Sequence, residues 1–117
     1  MHLVEHRLTA RVPVAVDALL EDSPGSATFV RLRNLSLYGA YAETAAFLPR
    51  HRRVWMYLRA PSSRSRAVVG ATVVRCDEHG IGLEFDDYGD ETATVLSGIL
   101  SQATRPASSL RSLRHSH

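Results

Sequence analysis

Residues 28–41 read T-F-V-R-L-R-N-L-S-L-Y-G-A-Y, and this stretch indicates how the chain folds. Val30 and Leu32 alternate with Arg31 and Arg33, which is the two-residue period of a half-buried strand. The N-L-S-L-Y-G segment then breaks that period, and strand-forming residues resume directly after it. The stretch therefore predicts the end of one strand, a tight connection and the start of another.

Similar alternation occurs on both sides of this stretch. Further strands are predicted at 12–16, 54–58, 67–76 and 81–85, and the turn formers of 21–26 join the first strand to the second. Because proline cannot donate a hydrogen bond to a β-ladder, Pro13 indicates either that the first strand lies at a sheet edge or that Pro13 is near the start of this strand. Five or six short strands spaced in this way predict an antiparallel barrel or sandwich.

The pattern changes after the last predicted strand. Asp90 is a candidate helix cap, and the apolar residues that follow share one helical face: Val95, Leu96, Ile99, Leu100 and Ala103. Pro106 should end this helix. We predict one domain over 1–103, with an N-terminal arm over 1–11 and a helix over 90–103. The segment 104–117 is expected to be a mobile basic tail.

Composition narrows the class of protein. The chain has 117 residues and a formal net charge of +2, and all fourteen basic residues are arginines. A bias toward arginine codons explains that excess most simply, yet arginine also suits bidentate recognition of phosphate and guanine. So small a net charge argues against general nucleic-acid binding and is compatible with a small anionic ligand. No apolar run is long enough to cross a membrane and no leader-like segment is present, so a cytoplasmic location is expected.

Two short patterns are candidates for a binding site. Arg7 and Arg11 form an R-x-x-x-R pair, of which roughly 1.6 are expected by chance in so arginine-rich a chain. Asn34, Ser36 and Gly39 form an N-x-S-x-x-G pattern, for which chance supplies roughly 0.04 occurrences. The second pattern therefore carries most of the specificity.

The segments R-L-T-A-R-V-P-V and R-N-L-S-L-Y-G-A-Y, with the later V-V-R-C-D-E-H-G-I-G-L-E-F, resemble the PilZ domain family. The resemblance covers about residues 5–103. It implies a six-stranded antiparallel barrel with a C-terminal helix that binds the bacterial second messenger cyclic di-GMP. Carried over to this sequence, the family motifs imply a ligand site at Arg7, Arg11, Asn34, Ser36 and Gly39. Asn34 takes a position that is often held by Asp in the family, and His6 takes a position where a further Arg is common.

The chemistry of these residue types fits such a ligand. An arginine fork can hold a phosphate or the O6/N7 edge of guanine with two parallel bonds. Asn34 and Ser36, two apart on a strand, are expected to point to the same side, with Asn34 accepting from guanine and Ser36 donating to the ligand. Gly39 is expected to allow a positive φ and a close backbone approach. Binding of the ligand would order the arm and so signal to a downstream protein. No cofactor is expected.

Other functions remain as alternatives. The same fold could act as a protein-interaction module without nucleotide, on motility or secretion machinery. A more remote alternative is single-stranded nucleic acid bound through the following residues: Arg31, Arg33, Arg52, Arg53 and Trp55. The patterns could also be ordinary solvated arginines and a side-chain-supported turn.

Catalysis and metal binding have little support in the sequence. Cys76 and His79 have the spacing of half a zinc site, but Cys76 is the only cysteine. We expect Cys76 to lie inward at a strand end. No nucleophile motif or phosphate-binding loop is present, so no enzyme is predicted. Trp55 and Tyr57 share a face that could support a dimer, and the oligomeric state is left open.

Overall fold

The computed structural model describes residues 11–59 and 64–103. Within these ranges the chain forms six strands and one helix. The strands are β1 (Val12–Ser23), β2 (Ser26–Leu35), β3 (Gly39–Glu43), β4 (Arg53–Arg59), β5 (Arg66–Cys76) and β6 (Gly80–Phe85). The helix is α1 (Asp90–Ala103). The tail beyond residue 103 and the arm before residue 11 lie outside the described residues, so the predicted domain division stays a prediction.

The six strands close into a barrel in the order β1-β2-β3-β6-β5-β4, and every neighbouring pair is antiparallel. This confirms the predicted fold class. The turn between β1 and β2 is shorter than the predicted 21–26, because Ser23 pairs with Ser26 and leaves only Pro24 and Gly25 between the strands. Gly25 has a φ of 81°, a conformation that glycine adopts without steric cost.

Alternation along the strands builds the core. In β4, for example, Val54, Met56 and Leu58 are buried while the residues between them are exposed. The inward side chains of all six strands form one apolar cluster. Cys76 ends β5 and packs, partly buried, against that cluster. Trp55 and Tyr57, which alternation placed on one shared face, point outward.

The helix covers the barrel with its apolar face. Val95, Leu96 and Ile99 are buried, and the Thr92 hydroxyl donates to the Val68 carbonyl oxygen at 3.3 Å. Asp90 is not the capping residue. The carbonyl oxygen of Gly89 accepts the first helical bond, from the Ala93 amide at 3.0 Å, so the helix is capped one residue earlier than predicted.

Three of the strands are irregular in the same part of the barrel. Their register shifts between Pro13 and Val16 in β1, between Leu32 and Asn34 in β2, and between Val73 and Arg75 in β5. A bulge adds a residue to one strand and so reverses which side chains face outward beyond it. These bulges decide which polar side chains surround a cavity at that end of the barrel.

Candidate nucleotide-binding site

A polar cavity of about 430 Å³ lies at the bulged ends of the strands. Its lining residues come from four parts of the chain: Arg11, Asn34, Val74, Arg75 and Gly82. Arg11 directly precedes β1, and β2, β5 and β6 supply the others. The site is therefore assembled from residues far apart in sequence, and the bulges in β1, β2 and β5 lie around it.

Asn34 holds Arg11 in place. Its Oδ1 atom accepts from the Tyr41 main-chain amide at 3.1 Å and from Arg11 Nη1 at 3.1 Å. That oxygen, which we expected to accept from guanine, is thus already used within the protein. A neutral amide also leaves the positive charge of Arg11 uncompensated, whereas an aspartate here would form an ion pair with it. Asn34 therefore orients the guanidinium without neutralising its charge.

A second arginine faces the same cavity. Arg75 was not among the predicted site residues, because only the bulge after Val73 turns its side chain toward the cavity. Its guanidinium lies over the Tyr41 ring, 5.4 Å from the centroid. The pKa of Arg11 is lowered from its usual value, mainly by burial and to a smaller extent by the positive charge of Arg75. Two like charges that share a cavity without a lining carboxylate give that cavity a positive potential.

Tyr41 is itself fixed from behind. Its hydroxyl donates to Asp77 Oδ1 at 2.7 Å, and the same oxygen accepts from the amides of His79 and Gly80 at 2.8 and 3.0 Å. The Tyr41 hydrogen bond, together with those amides, lowers the pKa of Asp77. Burial and the bond to Asp77 raise the pKa of Tyr41. Asp77 thus positions the ring on which Arg75 rests.

Ser36 and Gly39 lie behind the cavity. Ser36 follows the last residue of β2 and is buried, so it does not share a strand face with Asn34 as expected. Its Oγ accepts from the amides of Tyr38 and Gly39 at 3.0 and 3.2 Å, and its own amide donates to the Gly39 carbonyl at 2.9 Å. The hydroxyl therefore stabilises the turn that connects β2 to β3.

Gly39 is required for close packing rather than for a positive φ. Among the described glycines only Gly25 has a positive φ, so that part of the expectation is wrong. A Cβ atom at Gly39 would collide with the Leu83 carbonyl oxygen and would lie 3.3 Å from Arg11 Nη2. The missing side chain lets β6 and Arg11 approach the turn.

The structure brings Arg11 and Asn34 into contact and places the Ser36–Gly39 turn beside them. Arg7 lies outside the described residues, so its part in the site stays a prediction. Arg75, Tyr41 and Asp77 are the members that sequence reasoning missed. The V-V-R-C-D segment that contains two of them was noted only for its likeness to a family hairpin.

The surface proposed for single-stranded nucleic acid is mostly neutralised. Its four arginines each pair with a carboxylate: Arg31 with Asp17, Arg33 with Glu43, Arg52 with Asp22 and Arg53 with Asp86. Paired arginines are poorly placed to contact a phosphate backbone, so this alternative loses support. In residues 11–59 and 64–103 no group of acidic, histidine or cysteine side chains could hold a metal ion. The one described helix is too short and too polar to cross a membrane.

Comparison with known proteins identifies the family. The family model for the PilZ domain matches residues 5–102, so this chain belongs to the PilZ domain family. That family comprises receptor modules for cyclic di-GMP, as the resemblance implied. A search of curated proteins finds no match.

Two solved structures share the fold. The PilZ domain of CeSA, from a cellulose-synthesizing bacterium, is 17% identical with a TM-score of 0.62, and the match covers 80% of this chain and 98% of that one. The Bacillus subtilis inhibitor of motility, MotI/DgrA, is 16% identical with a TM-score of 0.64. The match covers 82% of this chain and 51% of that longer one.

Proposed function

We propose that this chain is a non-enzymatic receptor that binds cyclic di-GMP at the cavity lined by Arg11 and Arg75. The observation that carries the proposal is the shared cavity of these two guanidiniums, to which no carboxylate contributes. Cyclic di-GMP brings two phosphates and two guanines. Each group offers the paired acceptors that an arginine fork recognises.

The contacts assign a different task to each residue. Arg11, oriented by Asn34, would meet a phosphate or guanine edge, and Arg75, supported by the Tyr41 ring, would approach from the facing strand. Asn34 would donate through its amide nitrogen, because its oxygen already accepts two bonds. Arg7 would add a third guanidinium from the arm. Its spacing from Arg11 allows both to close over one ligand.

Signal output would come from ordering of the arm. Binding would draw the segment that carries Arg7 against the barrel and so change the surface offered to a downstream protein. A cytoplasmic location and signalling to a downstream protein stay predictions. The competing function is an interaction module indifferent to nucleotide. It is favoured only by a fold similar to that of an inhibitor of motility.

Isothermal titration of the full chain with cyclic di-GMP tests the proposal, with linear GMP as the control ligand. We expect saturable heat at micromolar cyclic di-GMP, a rise in the unfolding temperature, and far weaker binding of GMP. Arg75→Ala should lower the affinity, whereas Arg50→Ala, at an exposed arginine outside the cavity, should not. The absence of both heat and stabilisation at micromolar ligand would leave the nucleotide-independent function as the better account.

A further inference from the structure

The outer surface of the barrel carries an unbroken row of apolar side chains. Phe29 in β2 pairs with Leu19 in β1, Leu19 pairs with Tyr57 in β4, and Tyr57 pairs with Val68 in β5. We call these four residues the apolar row. Their strand neighbours on either side mostly face the core, so all four point away from the core. Phe29 is 82% exposed and Val68 is 45% exposed.

The row borders a groove of about 690 Å³ that is lined by residues of β1, β2, β4 and β5. Single exposed apolar residues are common on soluble proteins, but a contiguous apolar patch across neighbouring strands is typical of an interaction surface. Trp55, two residues before Tyr57 on the same strand, is also exposed and extends the apolar surface.

Two arginines border the row on one side. Arg59 and Arg66 are direct cross-strand partners, and both are exposed. Neither forms an ion pair with a carboxylate of the described residues. Arg31 of β2, in contrast, pairs with Asp17 of β1. Like charges directly opposite each other destabilise a sheet. An acidic group from outside the barrel would relieve that repulsion.

The groove beside the row fits a short helix. All four residues of the row line this single groove of about 690 Å³. A helix of about ten residues is roughly 15 Å long and can present apolar side chains to the groove from positions i, i+3, i+4 and i+7. Carboxylates on one flank of this helix would meet Arg59 and Arg66.

We infer that the apolar row, with Arg59 and Arg66, is a docking surface for an amphipathic helix of a partner protein whose apolar stripe is flanked by acidic residues. This surface lies about 20 Å along the strands from the cavity, since Phe29 is five residues from Asn34 and Val68 is seven from Arg75. The inference does not rest on nucleotide binding.

A pair of synthetic helical peptides tests the inference. Both have leucines at i, i+3, i+4 and i+7, and one is flanked by glutamates where the other has lysines. Trp55 is the only tryptophan, so its emission reports binding directly when the peptides lack tryptophan. We expect the glutamate peptide to shift Trp55 emission to shorter wavelength and to bind at least tenfold more tightly than the lysine peptide.

Matched variants of the full chain locate the binding. Phe29→Ser and the double variant Arg59→Glu/Arg66→Glu should each lower the affinity for the glutamate peptide at least tenfold. Phe47→Ser and Arg50→Glu should leave it unchanged, because Phe47 is 76% exposed but lies outside the row. Circular dichroism should show that all four variants fold.

Several outcomes would overturn the inference. One is equal affinity for the two peptides, or no binding of either. Another is an equal loss of affinity in Phe29→Ser and Phe47→Ser. A dimer in sedimentation equilibrium that Phe29→Ser dissociates would assign the row to a second copy of this chain. Binding to phosphatidylglycerol vesicles without binding to the glutamate peptide would assign it to a lipid surface.

Discussion

The polar cavity and the apolar row share two strands yet have opposite character. β2 and β5 contribute to both: Asn34 and Arg75 line the cavity, whereas Phe29 and Val68 lie toward the other ends of the same two strands. The difference follows from strand regularity. Regular pairing arranges outward side chains in straight rows across the barrel, and bulges break those rows to turn polar side chains toward one point.

The largest effect should come from removing a guanidinium of the cavity. Arg11→Ala deletes a charged hydrogen-bonding group whose loss costs about 1.5–3 kcal/mol, so we expect the affinity for cyclic di-GMP to fall about 10- to 100-fold. Titration calorimetry measures this loss, with Arg50→Ala as the matched control. Binding of the glutamate peptide at the apolar row should not change. Equal losses in both arginine variants would show that the nucleotide is held by general charge.

A smaller effect, on stability, should follow from a methyl group at Gly39. Gly39→Ala forces a Cβ atom against the Leu83 carbonyl oxygen, and we expect it to lower the free energy of unfolding by about 1–3 kcal/mol. Gly98→Ala is the control, because its Cβ atom meets open space on the exposed side of α1 and should stabilise the helix by up to about 1 kcal/mol. Urea denaturation of both variants measures the difference. Unchanged stability in Gly39→Ala would mean that β6 does not approach the turn closely.

Ser36→Ala should destabilise the turn. It leaves the amides of Tyr38 and Gly39 without the Ser36 Oγ acceptor, at a cost of about 1–3 kcal/mol when such groups are buried. We expect nucleotide affinity to fall less than in Arg11→Ala, because Ser36 acts through the turn. Ser97→Ala on the exposed side of α1 should stay within about 0.5 kcal/mol of the unmodified chain. A larger loss of nucleotide affinity than in Arg11→Ala would instead indicate that Ser36 contacts the ligand.

The smallest effect concerns acid stability. The pKa of Asp77 is lower in the folded chain than its ordinary value of 3.8. Its stabilising contribution is therefore complete above that ordinary value and is lost as the pH falls through the lowered pKa. Asp77→Asn should flatten this acid-side decline slightly and should weaken nucleotide binding only modestly, through Tyr41 and Arg75. Thermal unfolding between pH 2 and 6 measures the effect, and an identical pH profile in the variant would contradict it.

The sequence predicts the barrel well because each strand carries its own alternation. Val54, Met56 and Leu58 show which face of β4 is inward without knowledge of any other strand. It predicts the site less completely. Asn34 and Arg11 were found from their motif, but Arg75 reaches the cavity through a bulge after Val73, and a bulge depends on pairing with β6 rather than on local composition.

The same limit applies to Gly39. Ser36 and Gly39 were expected to face a ligand, and in the structure Ser36 Oγ bonds within its own turn while Gly39 packs against the neighbouring strand β6. The bonds of Ser36 are local, but the contact of Gly39 forms only when β6 closes against β3. The apolar row was equally hidden, because it is continuous across four strands while each strand supplies one residue. Alternation identified Trp55 and Tyr57 as sharing a face but not whether that face was outward.

A titration of the ¹⁵N-labelled full chain with cyclic di-GMP, followed by NMR, tests the central claim most directly, because it reports on both regions at once. We predict saturable shifts in the amides around the cavity, at Arg11, Asn34, Arg75 and Gly82, with little change at Phe29, Tyr57 and Val68. Shifts confined to the apolar row, or no saturable shift at micromolar ligand, would contradict the assignment of the cavity as the nucleotide site.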